Sequence, residues 1–411
     1  MSTIHVCSKS FSEITYHQRY PVVDDELEDP MSTFSLKYPD AHLTTVQLAT
    51  KYGYAAETHT VVTMDNYVLE VHRITGTKES PSAKGKRVVF LMHGLLSSSA
   101  DWVIAGPGKA LAYVMADKGY DVWMGNARGN TYSRRHCTLS TKHKNFWSFS
   151  WHEIGLWDLP ATIDYILEVT GEKKLFYIGY SQGTTAFFTM ASELPLYQDK
   201  IVAMFALAPV AFMKRIFSPP FKILARFTKT IEILLNLIGK YEFEPTSECM
   251  KKFAEVVCSK GAITQPLCAN VLFMIAGFSY DQFNKTLLPT VLGHVPAGAS
   301  IKQFVHYAQL INTGQFRQYD HGIIKNLVVY GHIQPPSYNL RSIKIPVSLH
   351  YSSNDWLANV LDVDKLYRQL GKPYGKFLVP HNKFNHLDFL WGNNVRELVY
   401  DKLVNLLLQF Q

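Results

Sequence analysis

Residues 179–183 read Gly179-Tyr180-Ser181-Gln182-Gly183, between an apolar run, Leu175–Ile178, and a stretch whose apolar residues Ala186, Phe187, Met190 and Ala191 recur at helical spacing. Strand, sharp turn and helix in that order make a nucleophile elbow. The turn holds the serine backbone in a strained conformation and lifts its hydroxyl above the sheet edge. Glycine is needed on both sides because a β-carbon at Gly179 or Gly183 would crowd the neighbouring strand or helix. A neutral serine is a weak nucleophile, so the same chemistry requires a base in contact with it and an acid to orient that base. With those parts Ser181 would attack an acyl carbonyl and carry the acyl group as a covalent intermediate.

Acid and base are expected after the serine, on loops that follow later strands. Asp355 follows Val347–Tyr351 through the turn Ser352-Ser353-Asn354, and His386 follows Phe377–Val379 through a polar loop. Asp362, Asp364, Asp388 and His381 stand close by as rivals, the first two in a helix-like stretch where a solvated face is the ordinary role. An oxyanion intermediate also needs two backbone N–H donors already aimed at it. Gln182, directly after the nucleophile, and Leu95, in His93-Gly94-Leu95-Leu96 at a strand end, are the candidates.

The elements that must position these residues are legible as an alternation. Val61-Val62-Thr63 and Tyr67–Arg73 flank a hairpin-type turn at Asp65-Asn66. Arg87–Met92, Tyr120–Met124, Ile201–Leu207 and Ile345–Tyr351 read as further strands. Between them run helices, one ending at Gly119 and one over Leu159–Val169, with Asp158 as N-cap, Pro160 in its first turn and Gly171 beyond its end. Strands separated by helices imply an α/β fold with a mostly parallel central sheet flanked by helices. The alternation stops after Pro209: residues 212–338 show helical periodicity without buried strands, including the apolar, Lys- and Arg-studded stretch Phe221–Ile238. Asn394–Gln409 closes the chain as an amphipathic helix. The expected division is an N-terminal extension over 1–42, a core of 43–211 and 339–411, and a helical insertion over 212–338.

Composition narrows the function classes. At 411 residues and 47% apolar, the chain can bury a large core. The net charge of +7 is spread along the sequence without a Lys/Arg block, which argues against nucleic-acid binding and leaves peripheral contact with a lipid surface open. No run approaches the roughly 20 apolar residues of a membrane span. Residues 1–40 are polar and acidic without the apolar core of a signal peptide, which on its own points to the cytoplasm or to a true start other than this one. Cys258 and Cys268, ten positions apart, could close a small disulfide loop or remain free thiols, and Cys7, Cys137 and Cys249 would then be unpaired. Asn284-Lys285-Thr286 is an N-glycosylation sequon. His136, Cys137 and His143 match no zinc spacing, and no cofactor or metal motif is found.

From about residue 43 to the C-terminus the chain resembles the animal acid lipase family, the gastric and lysosomal acid lipases and their insect relatives. The likeness rests on Val62-Thr63-Met64-Asp65-Asn66-Tyr67, His93-Gly94-Leu95-Leu96, Gly125-Asn126-Ala127-Arg128-Gly129-Asn130, Phe146-Trp147-Ser148-Phe149-Ser150, Asp158-Leu159-Pro160-Ala161, the elbow, and Asn385-His386-Leu387-Asp388-Phe389. The resemblance implies an α/β-hydrolase fold, with Ser181 as nucleophile, Asp355 as acid, His386 as base, and Leu95 and Gln182 as oxyanion donors. It also implies a cap with a lid at about 215–245, a disulfide at Cys258 and Cys268, a glycan at Asn284, and a secreted or lysosomal location. The implied substrates are acylglycerols or related lipid esters met at a lipid–water interface. Ser352-Ser353 replaces the family's usual Gly-Gly before the acid's Asn354. A carboxylesterase or acyltransferase with the same triad is the alternative, and a non-catalytic lipid-binding member of the fold is disfavoured by the intact Ser, Asp and His.

Overall fold

The computed structural model describes residues 38–258 and 260–410. Residues 1–37 of the expected extension lie outside the described residues. At its end, Pro39–Ala41 forms a turn of 3₁₀ helix with Ala41 buried, and the Asp40 carbonyl accepts a hydrogen bond from the His294 ring at 2.8 Å.

The main sheet contains β1 (Ala55–Val62), β2 (Tyr67–Gly76), β3 (Val88–Met92), β4 (Asp121–Met124), β5 (Arg135–His136), β6 (Leu175–Tyr180), β7 (Ile201–Leu207), β10 (Val347–Tyr351) and β11 (Pro373–Leu378). Its order is β1-β2-β4-β3-β6-β7-β10-β11, with the short β5 beside β2. The β1–β2 and β2–β4 pairs are antiparallel, and from β4 to β11 every pairing is parallel. Every residue of β3 and β6 is buried, as continuous apolar runs covered on both faces require. Alternation then divides the core. Val88, Phe90 and Met92 face the helices Leu159–Thr170 and Gln182–Glu193, while Val89 and Leu91 face the helix Leu111–Asp117 and the C-terminal segment.

Three expectations are corrected. Asp158 is no N-cap, because a π turn over Ile154–Asp158 runs into the helix and already provides an acceptor for the first N–H. The C-terminal segment winds as a π turn (Arg396–Tyr400), an α-helix (Asp401–Leu407) and a 3₁₀ turn (Leu408–Phe410), keeping Val395, Val399, Leu403 and Leu407 buried at a spacing of four, wider than an α-turn. The apolar stretch Phe221–Ile238, for its part, is helical as its spacing implies, in two helices, Pro219–Arg226 and Thr228–Leu237, that break at Phe227. The chain between β7 and β10 is also not purely helical, since β8 (Glu242–Phe243) pairs antiparallel with β9 (Ala299–Ser300).

Among the described residues no helix is long and apolar enough to cross a membrane. Cys258 and Cys268 form a disulfide, and Cys137 is disulfide-bonded as well, which corrects the expectation of a free thiol there. Asn284 is half-buried ahead of the helix Leu288–His294, its Oδ1 accepting the N–H groups of Thr286 and Leu287.

Candidate active site

Ser181 sits between the end of β6 and the helix Gln182–Glu193 with φ +48° and ψ −114°. A non-glycine residue held there stores on the order of 1–3 kcal/mol, sustained only where neighbours over-determine it. They do. The Ser181 N–H donates to the Leu207 carbonyl at 3.0 Å, its carbonyl accepts from the Thr184 hydroxyl at 2.6 Å, and the Tyr177 hydroxyl fixes the Gly183 carbonyl at 2.9 Å. A β-carbon on Gly183 would lie 2.2 Å from the Met92 carbonyl oxygen, and one on Gly179 would lie 2.9 Å from the Gly183 backbone. No side chain fits at either position.

The loops after β10 and β11 bring Asp355 and His386 to this turn. The His386 Nδ1–H donates to Asp355 Oδ2 at 2.7 Å, and its Nε2 accepts from the Ser181 hydroxyl at 2.8 Å. Asp355 Oδ1 in turn accepts the N–H groups of Leu357 and Ala358, both at 2.8 Å, so its carboxylate is fixed in direction. Both side chains are almost wholly buried. The arrangement fixes the imidazole tautomer with its free lone pair on the serine, the geometry needed for proton abstraction from Oγ.

The rivals are engaged elsewhere. Asp362 binds the Arg215 backbone N–H and guanidinium, each at 2.8 Å. Asp364 pairs with Lys376 and Arg368 at the surface, and His381 pairs with Asp281 at 2.9 Å. Asp388 accepts from the Ser279 hydroxyl and the Asn385 N–H through Oδ2.

Leu95 follows β3 and lines the same cavity as Ser181, while Gln182 opens the helix, so the first-turn N–H groups face the serine side. The Leu95 loop is fixed by a contact between residues distant in the chain. His93 is buried; its Nδ1–H donates to the Gly94 carbonyl at 2.7 Å and its Nε2 accepts the Ala127 N–H at 3.0 Å. Burial pushes its pKa down to about 4, so the ring stays neutral and keeps that acceptor. Ala127 belongs to a loop locked by Arg128, 1% exposed. Its guanidinium spans Asp158 at 2.7 Å and Asp65 at 2.5 and 2.8 Å, and lies 3.9 Å over the Tyr67 ring. The two carboxylates hold Arg128 cationic against the cost of burial.

A cavity of about 340 Å³ opens at Ser181 and His386. Its walls are apolar and come largely from the chain between β7 and β10, with Phe221, Leu224, Leu272 and Phe304 opposite Leu96. One acidic side chain interrupts them. Asp101 accepts a hydrogen bond from Ser97, and burial pushes its carboxyl up to about 7. Across the helix Pro219–Arg226, Phe221 and Leu224 face this cavity while Ile223 is exposed.

Residues 45–106 match a family described as a partial alpha/beta-hydrolase lipase region, and residues 87–233 match the alpha/beta hydrolase fold. The chain is 42% identical to Lipase 3 of Drosophila melanogaster over 359 residues, covering 87% of this chain and 91% of that protein. It is 36% identical to the human lysosomal acid lipase/cholesteryl ester hydrolase over 375 residues, 91% of this chain and 92% of the relative. A solved structure from Sulfolobus solfataricus overlays with a TM-score of 0.57 at 14% identity, covering 84% of this chain and 90% of that one, a likeness of fold. With identity of this degree along nearly its whole described length, the chain belongs to the animal acid lipase family of α/β-hydrolase-fold carboxylic ester hydrolases.

Proposed function

We propose that the protein hydrolyses acylglycerols or related lipid esters, with Ser181 as nucleophile, His386 as general base and Asp355 as its orienting acid. The observation that carries this reading is the unbroken hydrogen-bond chain from Asp355 through His386 to Ser181 at the mouth of an apolar cavity. As Oγ attacks the ester carbonyl, His386 takes its proton, and the negative oxygen is received by the backbone N–H groups of Leu95 and Gln182. Collapse expels the alcohol with the proton from His386 and leaves acyl-Ser181. Water then attacks this ester, again losing its proton to His386, and a fatty acid leaves. Cavity walls with so little polar surface suit an acyl chain.

Residues 43–211 and 339–411 form the catalytic core in this reading, and 212–338 form a cap whose segment 215–245 is a lid. The lid helices support this with one side on the cavity and exposed apolar residues on the other, as a cover that opens against a lipid surface requires. The disulfide, the sequon at Asn284 and relatives named as lysosomal and gastric lipases support a secreted or lysosomal site of action. The test is a fluorophosphonate probe followed by peptide mapping. Label is expected on Ser181 alone and lost in Ser181→Ala, with turnover falling on the order of 10⁶-fold. Label on another serine overturns the assignment.

A further inference from the structure

A second cavity, about 330 Å³ and thus as large as the first, has the opposite chemistry. It lies between the helix Thr228–Leu237, the helix Ile301–Thr313 and the start of the helix Ile323–Tyr330. Lys144, Lys240, Lys302 and Lys325 line it against a single lining carboxylate, Glu232, which accepts from the Tyr319 hydroxyl at 3.1 Å. Two of the lysines have counter-charges beside the cavity: Lys240 pairs with Glu244, and Lys302 stands 3.7 Å from Glu153. Lys144 and Lys325 have no carboxylate partner among the described residues. The Lys144 ammonium sits 5.5 Å over the Tyr241 ring and that of Lys302 4.8 Å over Tyr319. His321, on the same wall, has its pKa lowered to about 4, first by burial and then by Lys302 and Lys325.

Two of the helices that line this basic cavity also carry exposed apolar residues. On the helix Thr228–Leu237, Leu234 is 54% and Leu237 77% exposed. On Ile323–Tyr330, whose only charge is Lys325, Ile324 and Val328 are each 82% exposed. A site for a free anion needs the cations alone. Cations on two helices that also expose apolar residues suit an amphiphile, with its charge in the cavity and its chains against those apolar residues.

We propose that this cavity receives the anionic phosphate headgroup of a lipid in a surface, docking the enzyme through Lys144 and Lys325. The site is separate from the triad and stands whether or not the catalytic assignment does. Because Leu235, Lys240 and Tyr241 line it, headgroup binding also engages the segment that roofs the acyl cavity.

The test is co-sedimentation of the full chain with vesicles of ether-linked phosphatidylcholine, with and without about a fifth ether-linked phosphatidylglycerol. Ether lipids cannot be hydrolysed, so the readout is independent of esterase activity. Wild type is expected to prefer the anionic vesicles. Lys144→Gln with Lys325→Gln should lower that affinity about 25-fold, taking roughly fivefold per lysine at an anionic surface. Lys144→Arg with Lys325→Arg should restore it, and hydrolysis of a water-soluble ester should be unchanged in all variants. Lys173→Gln with Lys174→Gln removes the same charge from exposed positions just before β6, at the far end of the sheet from Ser181. Equal loss in that control, or no preference for anionic vesicles, overturns the proposal. Full competition by millimolar inorganic phosphate also overturns it, by marking a free-anion site.

Discussion

The two halves of the candidate active site are built by different physics. Around Ser181 the parts come from adjacent parallel strands and are held by directed hydrogen bonds, with the elbow closed by backbone contacts that leave no room for a β-carbon, as at Gly183 against the Met92 carbonyl. Across the cavity, the chain between β7 and β10 places apolar side chains on the same space but leaves others outside, with Leu237 77% and Ile238 70% exposed. The wall that contacts the reacting atoms is specified by hydrogen bonds, and the opposite wall by apolar area. Hydrogen-bonded geometry fails when one atom is moved, whereas apolar contact is non-directional and tolerates sliding. That contrast is what the proposed triad and lid would need, a fixed chemistry beneath a roof that moves.

If the hydrogen-bonded half is as exacting as its geometry implies, the largest effect short of removing Ser181 comes from one atom. Asp355→Asn keeps the size of the side chain but turns a donor toward the His386 Nδ1–H, or forces the other tautomer. Turnover should fall on the order of 10⁴-fold, with stability little changed. Equal loss from Asp362→Asn or Asp388→Asn at unchanged stability would assign the acid role elsewhere.

Arg128 tests the same half one layer back. Arg128→Ala strands Asp158, itself 2% exposed, without its cation, and should cost about 3–5 kcal/mol in urea unfolding. A loss below about 1 kcal/mol would mean that the loop from Gly125 to Asn130 is held by its backbone and that His93 is positioned without the ion pair.

How far the sequence reveals this molecule follows the same division. β3, β6 and β7 are legible because strands covered on both faces are continuous apolar runs. The first residues of β1 and of β11 are not, because edge strands with exposed residues such as Glu57, Thr58 and Tyr374 carry no such pattern. Ser181 stands out through its glycine spacing. Asp355 is singled out by its place after a late strand and ahead of His386, whereas Asp388 follows the histidine by two positions. Only the fold shows that Asp388 turns to Ser279. Arg128 and His93 lie in motifs the sequence does display, but what they do depends on partners far away in the chain, Asp158 and Asp65 for Arg128 and the Ala127 N–H for His93, which only the fold brings together. In the chain between β7 and β10, apolar helical spacing is the same for a side turned to the cavity and a side turned to solvent. The sequence therefore could not say which of Phe221 and Ile223 faces inward.

The apolar half is tested from its outer surface. Leu234→Ser with Leu237→Ser alters exposed positions, where stability changes little. Hydrolysis of an emulsified ester should fall on the order of tenfold while kcat/KM on a water-soluble ester is unchanged, since only the first depends on burying this face in lipid. Equal falls on both substrates would mean that these leucines support the cavity rather than contact a surface.

The seam between the halves gives the smallest effect and the most specific one. Asp388, two positions beyond His386, accepts from Ser279 in the other half at 2.5 Å and from the Asn385 N–H at 2.7 Å. Burial pushes its carboxyl up to about 7 despite these two donors. A folded pKa above the unfolded value means that the folded state holds a proton the unfolded chain has released. This contribution to stability is therefore complete below about pH 4 and is lost as pH rises to about 7. Asp388→Asn is neutral throughout, and its side-chain oxygen can accept both hydrogen bonds. Urea unfolding should find the variant close to wild type at pH 4.5 and more stable at pH 8, with hydrolysis of a soluble ester largely retained at both. A variant less stable than wild type by the same amount at both values would show that the seam is held by an ionised carboxylate, and would place a fixed charge between the two halves.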